Sequence, residues 1–145
     1  MKIETKKHLT NNEKIKRKEI KEDIMNSDKS KLLPDESFSE DEKEVFNYII
    51  DNSPTLANID IFAVNSYVRA LSDIKLANEH FEKEGKIVNG KLNPYYRVYN
   101  DAFKVTSNLA DKLNMTPMAR AKHGLKLSNN KDSYDPIKKL MNDNE

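Results

Sequence analysis

The sequence predicts an all-α fold: a helical hairpin core of two long antiparallel helices with shorter flanking helices. Three observations predict it. Apolar residues between 60 and 84 recur at spacings of three and four for about six turns. A second such run covers residues 94–113, opened by Asn93-Pro94. Between the two runs only GKIVNGKL, residues 85–92, has a β-like pattern.

A chain of 145 residues is about one domain long, enough for a modest core. Hydrophobic residues make up 37% and charged residues 34%, which fits a compact core between solvated arms, or a core completed by self-association. The expected organisation is a basic flexible arm over 1–37, a helical core and oligomerisation domain over 38–124, and a flexible tail over 125–145. The absence of cysteine excludes disulfides and thiolate metal sites. The start MKIETKKHL is charged where a secretory signal is apolar, and no apolar stretch approaches the ~20 residues of a membrane span. A soluble intracellular protein with no membrane partner is expected.

A net charge of +1 conceals segregation. Residues 1–31 hold ten bases against six acids, a net +4, whereas residues 32–52 hold Lys43 against seven acids, a net −6. Such segregation governs association with partners, not fold. The basic arm suits a polyanion, or its own acidic neighbour.

Taken in order, residues 13–25 predict a helix capped by Asn12, with Ile20 and Ile24 one turn apart. That stripe is too thin to bury independently, so the arm is expected to be solvated, or to order on DNA phosphates. Ser39 with Glu42 three residues on predicts a capping box, and the acids of the first turn favour the positive end of the helix dipole. Val45, Phe46, Tyr48, Ile49 and Ile50 supply that helix's apolar face before Asn52-Ser53-Pro54 ends it. The next helix begins near Asn58 or Asp60 and runs to Glu84, with Gly85 as its C-terminal cap. Asn89-Gly90 fits a two-residue type I′ hairpin turn, and a plain tight connection between antiparallel helices fits equally well.

Asn93 as N-cap and Pro94 at the first helical position open the second long helix, whose apolar face includes Tyr95, Val98, Tyr99, Ala102, Phe103, Leu109 and Leu113. Asn114-Met115 ends it. Thr116-Pro117 repeats the cap-plus-proline start for a short helix to about 123, closed by Gly124. The chain then turns polar, with a weak amphipathic piece at 136–141 whose end is expected to dock on a partner.

No catalytic constellation stands out. His8, His80 and His123 lie far apart, and the pairing of His80 with Glu84 one turn on reads as a solvated helix face before a metal site. The three glycines are isolated at element ends, so neither a Walker loop nor a dinucleotide fingerprint exists. An enzyme, a cofactor and a metal are therefore not expected. Residues 102–126 carry five bases against Asp111. A helix, a tight break and a basic second helix resemble helix-turn-helix geometry, but bases near helix C-termini also complement the dipole.

Asn93-Pro94-Tyr95 opening a helix, then Ala102, Leu109 and the ending Leu113-Asn114-Met115-Thr116-Pro117 with Arg120 and Lys122, resemble a phage small-terminase family of the "P twenty-seven" type. The resemblance covers roughly residues 40–126 and rests on the order of short motifs. Asn114 stands where that family usually has Gly, and Asn tolerates the left-handed conformation. Met118-Ala119 replaces small polar residues.

The resemblance implies a non-catalytic subunit that recognises double-stranded viral DNA at the packaging site and delivers it to the large terminase subunit, which holds the ATPase and nuclease. It also implies a ring-like homo-oligomer working in the cytoplasm of the bacterial host. Candidate DNA contacts are Lys14, Lys16, Arg17, Lys18 and Lys21 in the arm, with Arg120 and Lys122 near the second break. Two alternatives stand beside it: a helical adaptor or scaffold that binds protein only, and a small DNA-binding regulator.

Overall fold

The structure, a computed structural model, describes residues 9–122 and 136–142. Among them the chain is mostly helical, in agreement with the all-α class. Helix α1 spans Asn11–Met25, α2 Glu40–Asn52, α3 Ile61–Glu84, α4 Tyr95–Lys112, α5 Pro117–Lys122 and α6 Pro136–Met141. A two-stranded antiparallel ribbon, β1 (Ile87–Val88) and β2 (Lys91–Leu92), joins α3 to α4. The expected end of α5 at about residue 123 with its closure by Gly124, the polar segment over 125–135 and the bases Lys2, Lys6, Lys7 and Lys126 lie outside the described residues, as does His8.

Local chemistry sets most boundaries. At α2, Ser39 Oγ accepts from the Glu42 N–H at 3.2 Å and Glu42 Oε2 accepts from the Ser39 N–H at 2.7 Å, the predicted capping box. The same device opens α1, but from Thr10 and Glu13, two residues ahead of the expected cap Asn12. Thr10 wins because Glu13 sits three residues beyond it and can reach back to its N–H. Asn89 (φ 51°) and Gly90 (φ 75°) both adopt the positive φ that a type I′ turn demands, which selects the hairpin over the plain connection.

Helices α3 and α4 run in opposite directions along one another, for His80 meets Tyr95 at one end and Ala70 clusters with Ala102 further along. Helix α2 lies across the first half of α3. Val45, Phe46 and Ile49 of α2 join Val64, Val68 and Leu71 of α3 in the main core. Phe46, Val45, Val64 and Val68 are fully buried, and each such side chain contributes about 1.5–3 kcal/mol relative to exposure.

The core also draws in residues from both flanking segments. Leu32 is buried, and the chain before it is tied to the start of α3: the Lys31 N–H donates to Asn58 Oδ1 at 2.8 Å, and Asn58 Nδ2 donates to Asp28 Oδ2 at 2.9 Å. Residues 28–37, placed by sequence in the arm, therefore border the core. At the other end α6 buries Pro136 and Leu140 against α2 and α3 of its own chain, and Lys139 Nζ lies 3.3 Å from Asp41 and 3.5 Å from Glu44. The acidic surface of α2 thus holds a basic helix of the same chain, where docking on a partner was expected.

Candidate nucleic-acid interface

Helix α1 buries no side chain, so its contribution to the molecule lies on its surface. Its five bases face four acids, and segregation rather than net charge sets its potential. Lys14, Arg17, Lys18 and Lys21 fall at i, i+3, i+4 and i+7, one above the other on a single face. Lys16 falls about 160° away from that row, on the side of Glu19 and Asp23. The structure therefore gathers four of the five candidates and separates Lys16.

The row spans about 10 Å, the length of about three phosphates along one strand of a duplex. Within it Lys18 lies 3.8 Å from Glu22 with both side chains largely exposed, a contact too open to immobilise the ammonium. Arg17 and Lys21 are half-buried and make further interactions of their own. At the helix start the Thr10 backbone N–H, then the Thr10 hydroxyl, hold the Glu13 carboxyl below its ordinary range. Glu13 is thereby committed to the cap.

Arg120 and Lys122 stand on α5, a separate and much shorter helix. The break before it is a Schellman motif: the Met115 N–H donates to Ala110 O at 2.8 Å and the Asn114 N–H to Asp111 O at 3.2 Å. Asn114 takes φ 57°, the left-handed conformation inferred for it from sequence. Thr116 then caps α5, its Oγ1 accepting from the Ala119 N–H at 3.2 Å and donating to Asp111 Oδ1 at 2.7 Å.

Arg120 is half-buried and donates from Nη1 to the carbonyl of Met115 at 2.6 Å, so it clamps the break from which it springs. Lys122 is exposed, at the edge of an open groove of about 420 Å³ that Asp111, Met118, Ala119 and Ala121 also line.

The pairing of His80 with Glu84 is visible in the sequence, but the polar cluster that the two form with Asn93 and Tyr95 is not. Where α3 gives way to the ribbon, His80 Nδ1 lies 2.9 Å from Glu84 Oε1 and the His80 ring stacks on Tyr95 at 3.6 Å between centroids. Asn93 donates to Glu84 Oε2 at 3.2 Å and to Gly85 O at 2.9 Å, while its Oδ1 accepts from the Tyr95 N–H at 3.0 Å. The His80–Glu84 pair, expected as a solvated face, is thus part of the joint between α3 and α4. Among the described residues no group of three or more His, Asp or Glu side chains is placed to hold a metal ion, and no helix is long and apolar enough to cross a membrane.

The family described as phage terminase, small subunit, matches residues 43–130, more than half of the chain. The chain belongs to the phage terminase small-subunit family. No curated protein and no solved structure matches it. The matched region starts within α2 and takes in the α3–α4 pair, the ribbon and the Asn114–Thr116 break, which are the elements that carry the NP and LNMTP motifs. Arg120 and Lys122 fall inside it, whereas α1 and its basic row precede it. Family membership supports a role in phage genome packaging.

Proposed function

We propose that this terminase small subunit binds double-stranded viral DNA at the packaging site and delivers it to the large terminase subunit. It acts as a non-catalytic, ring-forming homo-oligomer in the cytoplasm of the bacterial host. The observation that carries the DNA-binding part is the row Lys14, Arg17, Lys18 and Lys21 on a helix that buries nothing within its own chain. A helix kept outside the core, with four cations on one face, suits phosphate contact through charge. Lys122 adds an exposed cation near the second break, and Arg120 supports that break from within.

Contacts of this class position a protein on the duplex and carry no sequence information themselves. Selection of the packaging site therefore comes from several copies engaging successive phosphate runs, together with the deformability of the DNA they wrap. The large subunit supplies the ATPase and nuclease.

The test is a mobility-shift titration of the full chain with DNA from the packaging region of its own phage. It is run at low salt, with and without the large subunit. Retarded complexes that dissolve as salt is raised support the reading. No complex at low salt under either condition contradicts it, and supports an adaptor that binds protein only.

A further inference from the structure

The ribbon that joins α3 to α4 leaves both of its largest aliphatic side chains uncovered. Ile87 of β1 pairs with Leu92 of β2, so the two share one face of the ribbon, where they are 59% and 60% exposed. The other face carries the Val88–Lys91 pair, with Val88 half-buried. Asn89 and Gly90 close the ribbon in a tight turn, and Gly90 faces open space, so the ribbon ends in a narrow tip.

Cations flank the apolar pair. Lys86 leads into β1 and Lys91 opens β2, both exposed, and neither ammonium group has a hydrogen-bond or ion-pair partner among the described residues. The neighbouring acids are engaged elsewhere: Glu84 with His80 and Asn93, and Glu82 in an interaction of its own. Arg97, the next base along the chain, lies beside Asp101. The uncommitted charge at the tip is therefore positive, on both sides of an apolar centre.

This pattern matches the major groove of duplex DNA. That groove is about 12 Å wide and admits a two-stranded ribbon, with phosphates along both walls and the thymine methyl groups on its floor. The strands of a ribbon lie about 5 Å apart, which leaves a lysine on each strand room to reach the wall on its own side. The minor groove is about half as wide and presents no methyl group. Strands of two residues also offer too few ladder bonds to recruit a strand from a protein partner.

Resting on the DNA-binding reading above, we propose that the ribbon enters the major groove, with Ile87 and Leu92 covering thymine methyl groups and Lys86 and Lys91 on phosphates of opposite walls. The contact is distinct from the α1 row. The segment after α1 is tied by Asp28 to Asn58, at the start of α3, whereas the ribbon follows the end of α3, so the two contacts are anchored at opposite ends of that helix. The ribbon adds a contact with base edges to the phosphate contacts and to the selection by deformability.

The test is fluorescence anisotropy of the full chain with a packaging-region duplex made with thymine or with uracil, which lacks the methyl group and keeps the charge. The wild type is expected to bind the uracil duplex about fourfold more weakly for each methyl group covered. The double variant Ile87→Ser, Leu92→Ser is expected to bind both duplexes alike, with the salt slope of the wild type. The double variant Lys86→Ala, Lys91→Ala is expected to keep the thymine preference while its salt slope falls by about two. A chain with Lys14, Arg17, Lys18 and Lys21 changed to alanine is expected to keep the thymine preference as well. All the changed ribbon positions are exposed, and circular dichroism checks that each variant keeps its helices.

A wild type that binds both duplexes equally overturns the ribbon contact and leaves DNA binding through α1 standing. A thymine preference that survives in the serine variant, or an unchanged slope in the ribbon lysine variant, overturns it too. Ribbon variants that match the wild type on both duplexes but no longer retain the purified large subunit overturn it in favour of a protein-docking tip. A wild type that binds neither duplex at low salt removes the DNA-binding reading itself, and the inference with it.

Discussion

Asn93 donates its side-chain amide to the carbonyl of Gly85 at 2.9 Å while accepting from the Tyr95 N–H at 3.0 Å, so one side chain both ends α3 and starts α4. It is 1% exposed. Asn93→Ala would leave the part-buried Gly85 carbonyl and the Tyr95 helix N–H without their side-chain partner, each costing about 1 kcal/mol, at the low end of the ~1–3 kcal/mol of a fully buried unmet group. Chemical denaturation is expected to show a loss of about 2 kcal/mol with unchanged helix content in the native baseline.

The conformation of Asn114 yields a prediction of opposite signs. At φ 57° a glycine is unstrained and a β-branched residue is not. Asn114→Gly is expected to be neutral or to stabilise by less than about 1 kcal/mol, and Asn114→Val to destabilise by about 1–2 kcal/mol. Thermal melts of the two variants check the ordering.

The two capping boxes are chemically alike but sit in different surroundings. Ser39→Ala on α2, whose helix buries Val45, Phe46 and Ile49, is expected to lower global stability by about 1 kcal/mol. Thr10→Ala on α1, which buries nothing, is expected to reduce helicity by circular dichroism while the unfolding midpoint stays in place. A shifted midpoint for Thr10→Ala would mean that α1 packs more firmly than its exposure indicates.

Acid sensitivity follows from three carboxylates. Hydrogen bonding from His80, then from Asn93, holds Glu84 below its ordinary range. The Ser37 hydroxyl and backbone N–H, with Arg69, do the same for Asp35, and the Ser30 N–H for Asp28. A carboxyl depressed by folding contributes stability above its unfolded pKa and loses it as pH falls through its folded one. The melting temperature is therefore expected to be level near neutrality and to fall below about pH 4.5. Glu84→Gln should flatten part of that fall, as melts across a pH series would show.

Much of this fold is legible in the residues because its boundaries are set locally. Ser39 with Glu42, Gly85 after Glu84, Asn89-Gly90 and Asn93-Pro94 each mark a boundary through bonds to near neighbours in the chain. What was not legible depends on distant contacts. Burial of Leu32 and the docking of α6 on Asp41 and Glu44 join residues that nothing in the local pattern pairs. The role of Asn93 as a bridge to Glu84 likewise needed the ribbon to bring them together. In the candidate interface the bases of the arm were visible as a cluster. Their i, i+3, i+4, i+7 row emerges only when helical periodicity is applied to charge as well as to apolar residues. That Arg120 also donates to Met115 O, bracing the break beside it, is a contact the sequence does not reveal.

The salt dependence of duplex binding tests the central claim most directly, measured by fluorescence anisotropy for the wild type, the quadruple variant Lys14→Ala, Arg17→Ala, Lys18→Ala, Lys21→Ala, and the single variant Lys16→Ala. Each phosphate contact contributes roughly 0.9 to the slope of log affinity against log salt. The quadruple variant is therefore expected to bind more weakly with a slope reduced by about three to four, and Lys16→Ala to match the wild type closely. Equal affinity and equal slope for the quadruple variant and the wild type would contradict a DNA contact made through α1.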